Sequence, residues 1–227
     1  MNKVYNSAAD AIADIPDGAT IMFGGWGLVG NPENLTRALY EKGTKDITAI
    51  ANNPGAIYKE IFYDLAILIQ ANRVKKFIGS YHGWNYDLIE KCKKGEMEYE
   101  CIPQGTIAER IRTAGAGLGG FYTRAGANSS LAEGKEKRII DGKPYVLEFP
   151  LRADYAFVKA KTGDTWGNLI YRYTAQNFNP LMAMAGKVTI AEVENLSEIG
   201  ELDPNHIHTP GIYVDRIVKG ERYDKRV

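Results

Sequence analysis

Four apolar runs, each followed by a turn and an amphipathic segment, recur through the first half of the chain. The runs cover residues 20–24, 46–51, 74–79 and 98–102; the amphipathic segments cover 32–42, 57–70, 85–94 and 106–114. Strand–helix units spaced by about 30 residues are the signature of parallel strands joined by helical crossovers. That alternation predicts an α/β fold: an open, mainly parallel sheet with right-handed connections and helices on its flanks. Ligands of such sheets bind outside the carboxyl ends of the strands. Residues 24–30, 52–55, 80–85 and 103–105 follow the four runs, so they are expected to line one crevice.

The rest of the chain is read around that frame. Residues 7–15 read as a short helix capped by Ser7, with Ala8, Ala9, Ile12 and Ile15 on one face. Residues 115–120 are too glycine-rich for a regular element, and 122–134 read as loop. Asp141-Gly142 predicts a hairpin between 137–140 and 145–149. Strands are expected over 155–161, 168–173, 188–193 and 212–218, giving a β-rich C-terminal part, with an apolar, helical segment after Pro180 and an extended charged tail over 219–227. No linker, repeat or low-complexity segment divides residues 1–227, which are expected to form a single domain.

Composition narrows the function classes. Lys plus Arg and Asp plus Glu both number 28. That neutral balance argues against nucleic-acid or membrane-surface binding, which draws its affinity from a basic excess. Cys92 and Cys101 do not form a C-x-x-C pair, so neither a disulfide framework nor a zinc site is expected. The start Met1-Asn2-Lys3-Val4-Tyr5 has no signal-peptide core, and no run approaches the ~20 apolar residues of a membrane helix. A cytoplasmic protein is expected.

The turn after the first run is Gly24-Gly25-Trp26-Gly27-Leu28-Val29-Gly30, followed by Asn31-Pro32. Free N–H groups and a helix dipole aimed at one spot make such a strand–turn–helix an anion site. Gly25-x-Gly27-x-x-Gly30 matches the dinucleotide fingerprint, which also needs an acidic residue ~20 positions on at the end of the second strand. Asp46 has that spacing but opens its strand, and the strand ends on Asn52-Asn53. A nicotinamide cofactor is therefore disfavoured. A tight packing turn without ligand, and a site for another phosphate or carboxylate ligand, both stay open.

Asp17-Gly18, Gly24-Gly25-Trp26 and Gly30-x-Pro32 together resemble the signature of the alpha (A) subunit of family I coenzyme A transferases, the succinyl-CoA:3-oxoacid and acetate/acetoacetate group. The likeness runs through nearly the whole chain. Pro103-Gln104-Gly105-Thr106-Ile107-Ala108-Glu109 and Gly115-Ala116-Gly117 carry it, as do Gly167-Asn168-Leu169 and Ala175-Gln176-Asn177-Phe178-Asn179-Pro180. So do Gly200-Glu201-Leu202, Thr209-Pro210-Gly211-Ile212-Tyr213-Val214, and the tail Lys219-Gly220-Glu221 with Lys225-Arg226.

The resemblance implies a ping-pong exchange of CoA between two carboxylic acids. A glutamate on the partner, the beta (B) subunit, attacks the acyl-CoA, an enzyme–CoA thioester forms, and the second acid takes the CoA. Splitting one difficult transfer into two is the gain from a covalent carboxylate. It further implies a heterodimer or α2β2 heterotetramer with no tightly bound cofactor, coenzyme A thioester being a substrate. Succinyl-CoA and acetoacetate are the expected pair; an acetate- or butyrate-acetoacetate type, or a non-catalytic phosphate-binding relative, is the alternative. Gly24, Gly25, Trp26, Gly27, Leu28, Val29 and Gly30 are implied on the CoA site.

Within the crevice, Gln104 stands at a strand end beside a glycine, where an amide donor suits an oxyanion or a substrate carboxylate. The alternative is an amide that only holds the turn. Asn52 and Asn53 carry the same two readings. Ser80-Tyr81-His82-Gly83-Trp84-Asn85 departs from the family's Ser-Tyr-Val-Gly-Glu-Asn, which brings His82 and Trp84 to the acyl pocket and puts the acyl substrate in question; a buried, hydrogen-bonded His82 is the alternative. Arg124 and Trp26 are further departures. Ser197-Glu198-Ile199-Gly200 lacks the Asn of the partner's Ser-Glu-Asn-Gly, so Glu198 is not expected to be the nucleophile. His206-x-His208 lacks a third ligand nearby, and no metal site is expected.

Overall fold

The computed structural model describes residues 2–223. The strand–helix rhythm is present. After β1 (Val4–Tyr5) and α1 (Ala8–Ala11) come β2 (Thr20–Phe23), α2 (Glu33–Lys42) and β3 (Ile47–Ile50). Ser7 does cap α1, its side chain accepting from the Asp10 N–H at 3.1 Å, but the helix is a single turn and does not reach Ile15. Helix α2 ends as its sequence demands: Gly43 takes φ +80° and donates to the carbonyls of Leu39 and Tyr40.

Residues 57–70 overturn the helix expected there. They form a hairpin, β4 (Ala56–Tyr58) with β5 (Ile61–Tyr63), and only then a short helix, α3 (Ala66–Gln70). The turn places Lys59 and Glu60 at φ +47° and +62°. Two consecutive left-handed residues make a tight hairpin turn, but glycine or asparagine usually marks it. Here neither residue does.

β6 (Val74–Gly79), α4 (Tyr86–Lys93), β7 (Glu98–Cys101) and α5 (Gln104–Gly115) complete the expected series. Helix α5 carries through Gly115, inside the stretch expected to be irregular; a Cβ there would stand 2.6 Å from Met184 Cβ of the crossing helix, so this glycine serves close helix packing. Tyr122 and Thr123, expected as loop, belong to a strand, β8 (Phe121–Thr123). It pairs with the predicted Asp141-Gly142 hairpin, β9 (Lys137–Ile140) and β10 (Lys143–Glu148). Then follow β11 (Ala153–Asp164), β12 (Leu169–Ile170), α6 (Asn179–Ala185), β13 (Gly186–Ser197) and β14 (Arg216–Lys219). The strand expected over 168–173 stops at Ile170, and that over 212–218 begins only at Arg216, after a turn over Gly211–Tyr213. The tail matches Lys225-Arg226 lie outside the described residues.

The main sheet has the order β1-β14-β13-β11-β2-β3-β6-β7, all parallel, with β12 antiparallel to β11. Its C-terminal strands are therefore continuous with the first four. Period-two alternation divides the core into two faces. Ile21, Phe23, Ala49 and Phe77 point to one cluster, packed under the α1–α4 side by Leu35, Leu39, Leu68 and Leu88. Met22, Ile50, Ile78 and Val158 point to the other, covered by Ile107 and Ile111 of α5 and Met182 of α6. Each fully buried side chain of this size contributes roughly 1.5–3 kcal/mol.

From β2 the chain winds outward through β3, β6 and β7; it then returns to the other side of β2 with β11 and continues to β14. The direction reverses between β2 and β11, and the glycine turn leaves β2 at that reversal, where α/β sheets open a crevice.

Candidate functional site

The glycine turn is held from three sides. The Gly24 N–H donates to the Phe157 carbonyl of β11 at 2.9 Å, and Trp26 and Val29 exchange two backbone hydrogen bonds of 3.0 and 3.1 Å. Asn53 holds the middle: its Oδ1 accepts from the Gly27 N–H at 2.7 Å, and its Nδ2 donates to the Gly27 carbonyl at 3.1 Å. Asn177 and Asn179 hold the end, their Nδ2 groups donating to the carbonyls of Val29 and Gly30, each at 3.0 Å. The Ala175 to Pro180 motif is thus the latch of the glycine turn, a role that its sequence alone does not reveal.

The glycines have unequal tasks. A Cβ on Gly24 would sit 1.9 Å from Asn179 Oδ1, and one on Gly25 2.6 Å from Asn31 Nδ2. Both are small so that buried amides can approach the backbone. Gly27, at φ +62°, meets only the Trp84 ring, 3.8 Å from where a Cβ would be. Only this middle glycine faces open space near the strand ends.

Five of the seven turn residues divide between two clefts, while Gly24 and Gly25, expected on the CoA site, reach neither and face a void of about 10 Å³ beside Asn31, Pro32 and Asn53. Trp26 and Gly27 open on a cavity of about 580 Å³, together with Asn52, Asn53, Ser80, Tyr81, Trp84 and Gln104. Leu28, Val29 and Gly30 line a cleft of about 390 Å³ on the β11 side, with Lys159, Lys161 and Arg172. The larger cavity draws on the ends of β2, β3, β6 and β7, the four segments that the chain rhythm picks out. Ser80 and Tyr81 belong to the 80–85 segment expected on the crevice, although His82 and Trp84 are the residues of that segment expected at the acyl pocket; of those two, only Trp84 lines the cavity.

Asn52 and Asn53 are buried and largely occupied by their own chain. Asn52 Nδ2 donates to Asn53 Oδ1 at 3.3 Å, and Asn52 Oδ1 accepts from Ser80 Oγ at 2.9 Å. The Asn53 amide holds Gly27, so it positions the turn. Asn85, fully buried, caps α4 through Oδ1 and donates from Nδ2 to the Pro54 carbonyl at 2.8 Å. His82 is neither buried nor on the cavity wall. It is exposed, stacked on Tyr81 with ring centroids 6.4 Å apart and edge-on to Tyr99 at 5.8 Å. Trp84 stands edge-on to Tyr81 at 6.0 Å, its carbonyl accepting from the Ile57 N–H of the β4–β5 hairpin at 3.0 Å. Arg124 is exposed in the turn after β8 and does not line the cavity.

The helix after the glycine turn is not a free anion site. Glu192 of β13 is 0% exposed, and its carboxylate accepts from the Leu35 N–H at 2.9 Å and from Asn34 Nδ2 at 3.1 Å. The start of α2 therefore already faces a carboxylate of its own chain. Burial pushes the Glu192 carboxyl up to about 7, against the hydrogen bonds from Leu35 and Asn34. Asn34 Oδ1 in turn accepts from the N–H groups of Glu221 and Arg222, which ties the tail to the same point.

The open helix start is that of α5. Gln104 is its first residue, after Pro103, and the N–H groups of the first turn have no partner within the helix. Gln104 is exposed on the cavity, so a side-chain amide, backbone N–H groups and the positive end of a 12-residue helix meet there. Such a group of donors favours a carboxylate or the oxyanion of a tetrahedral intermediate.

The remaining sequence candidates lie elsewhere. Glu198 follows the end of β13, two strands beyond β2, and its N–H donates to Glu201 Oε2 at 2.9 Å. His208 Nδ1 accepts from the Tyr171 N–H at 3.0 Å, and His206 pairs with Asp203 at 3.0 Å. The two imidazoles thus serve separate contacts. Asp46 opens β3 at the amino end of the sheet, away from the turn. Among the described residues no helix is long and apolar enough to cross a membrane.

Known proteins match this architecture. A Bacillus subtilis protein, named as the A subunit of a probable succinyl-CoA:3-ketoacid coenzyme A transferase, is 49% identical over 227 residues, all of this chain and 94% of that protein. The A subunit of the 3-oxoadipate CoA-transferase of Pseudomonas putida is 50% identical over 220 residues, 96% of this chain and 94% of that one. The crystal structure of glutaconate coenzyme A-transferase from Acidaminococcus fermentans superposes with a TM-score of 0.83 at 21% identity, covering 96% of this chain and 75% of that chain, a likeness of fold. Residues 5–220 match the coenzyme A transferase family, and the chain belongs to it.

Proposed function

We propose that the chain is the alpha subunit of a two-subunit 3-oxoacid CoA-transferase, forming one domain that presents the acyl-group side of the site to a partner beta subunit. The observation that carries this reading is the cavity at the ends of β2, β3, β6 and β7. It gathers Gln104 and the α5 start against Gly27, and none of its lining residues is an acid. Such a wall can hold a carbonyl or a carboxylate and stabilise an oxyanion, but it supplies no nucleophile. The attacking glutamate comes from the partner. Its carboxylate attacks the acyl-CoA carbonyl and displaces CoA thiolate, giving a mixed anhydride; the thiolate then attacks the glutamyl carbonyl, so the first acid leaves as carboxylate and the enzyme–CoA thioester remains, and the same two steps run in reverse with the second acid.

In this reading, the Gln104 amide and the α5 N–H groups face the carbonyl oxygen as it gains charge. Asn53 keeps Gly27 at a fixed distance from them. Succinyl-CoA with acetoacetate is the first substrate pair to test, and the assembly is a heterodimer or a dimer of heterodimers. The purified chain alone is expected to move no CoA between succinyl-CoA and acetoacetate. Activity should appear when a partner carrying Ser-Glu-Asn-Gly is added. Borohydride trapping after acyl-CoA treatment should modify a glutamate of the partner; activity of the chain alone, or modification on this chain, would overturn the assignment.

A further inference from the structure

The apolar surface around the cavity does not end at its walls. Asn85 Nδ2 donates to the Pro54 carbonyl at 2.8 Å, and the Ile57 N–H donates to the Trp84 carbonyl at 3.0 Å, so the β4–β5 hairpin is fastened to the wall that carries Trp84. Its root is tight: a Cβ on Gly55 would stand 2.3 Å from the Tyr63 carbonyl oxygen. Beyond the root the hairpin is apolar on both faces and uncovered. Tyr58 and Ile61 form one cross-strand pair, 62% and 53% exposed. Ile57 and Phe62 form the next, and neither is buried. Successive pairs point to opposite faces, and none of the four side chains joins either core cluster. An isolated two-stranded hairpin is marginal in water. This one also holds Lys59, Glu60 and Asp64 in left-handed conformations, at a cost in conformational energy.

We propose that this hairpin is the element on which the partner beta subunit docks, with Tyr58 and Ile61 buried in the heterodimer. This rests on the transferase reading above, in which the cavity lacks a nucleophile and the partner must cover its mouth to deliver one. A stable pair of subunits buries about 800 Å² on each partner, a patch of about 20–30 residues. Eight residues line the cavity, so the contact has to spread onto surface beside the mouth. The hairpin is apolar surface tied to that mouth through Trp84 and Asn85. Interface cores are rich in aromatic side chains and poor in charge, and the Tyr58–Ile61 pair with Phe62 behind it has that character. The partner thus supplies the cover that this chain does not give, on the same side from which its glutamate enters.

Substitutions on the pair read this directly, because neither residue lines the cavity. Titration of the full chain with the partner carrying Ser-Glu-Asn-Gly gives the association constant. Ile61→Asp is expected to weaken association at least about tenfold, and Tyr58→Asp with Ile61→Asp about a hundredfold, whereas Tyr58→Phe should keep it. The unfolding midpoint of each variant chain alone should match the parent, since both side chains are exposed there. With the partner in excess, kcat should return to the parent value, because the hairpin acts on assembly and not on the reacting groups. Unchanged association overturns the proposal. A fall in kcat that excess partner does not restore also overturns it, and so does a loss confined to pairing between two copies of this chain. Hydrogen exchange gives a reading without substitution: the amides of residues 56–63 should slow when the partner is added, and equal exchange overturns the proposal. A parent pair that associates but moves no CoA with any acid defeats the transferase reading alone. A parent enzyme that moves CoA while the variants associate as tightly as the parent defeats the docking surface alone.

Discussion

Helices α2 and α5 both begin just beyond the carboxyl end of a sheet strand, and their starts meet opposite surroundings. The α2 start follows the glycine turn, yet Glu192 fills it from β13. The α5 start follows a plain Pro103, yet its first turn opens on the cavity through Gln104. A glycine-rich strand–turn–helix thus does not make an anion site unless its N–H groups are left free. The helix start behind the stronger sequence signal serves the architecture here, while the turn itself reaches the cavity only through Trp26 and Gly27; the quieter helix start faces it directly.

The largest effect is expected where the α2 start loses its carboxylate. Glu192→Ala leaves the Leu35 N–H and the Asn34 amide buried without an acceptor and opens a void, costing about 3 kcal/mol in urea unfolding. A loss under about 1 kcal/mol would mean that α2 does not depend on this contact. Next is Gln104→Ala, which removes a side-chain donor facing the cavity. It should lower kcat/KM of the two-subunit enzyme about a hundredfold and leave the unfolding midpoint unchanged. Lower stability with normal turnover would make Gln104 a turn amide.

The contrast also has a pH signature. The Glu192 carboxyl is raised from 4.5 to about 7 by burial, so the folded chain holds its proton more tightly than the unfolded chain does. Stability from this group is full below pH 4.5 and falls as pH rises through about 7. The difference is on the order of 3 kcal/mol, and Glu192→Gln should flatten that part of the stability–pH curve. A Glu192→Gln curve as steep as the parent's would remove Glu192 as the source. The smallest effect belongs to Asn53→Ala. Losing both hydrogen bonds to Gly27 should cost about 1 kcal/mol of stability, with a several-fold fall in kcat/KM. Unchanged turnover would show that the glycine turn keeps its place without the amide.

Much of the frame is legible in the chain because it is local. Apolar runs of period two, Gly43 after α2 and Asp141-Gly142 in the hairpin each act within a few residues. The four strand ends that line the cavity follow from that rhythm together with the rule of parallel sheets. The hairpin at 56–63 is not legible in the sequence because Lys59 and Glu60 adopt left-handed conformations that their side chains do not advertise. Its apolar residues read as readily as one face of a helix.

By itself the sequence determined the alternating α/β order, the family and the side of the sheet that carries the crevice. Tertiary structure alone decided which helix start stays open, because Glu192 reaches α2 from a strand far along the chain. It also divided the glycine turn between two clefts, as β11 returns beside β2 and Asn177 and Asn179 latch the loop from a distant segment. Contacts of that separation depend on how parallel strands are ordered across the sheet, and no pattern within one strand or one turn records that order.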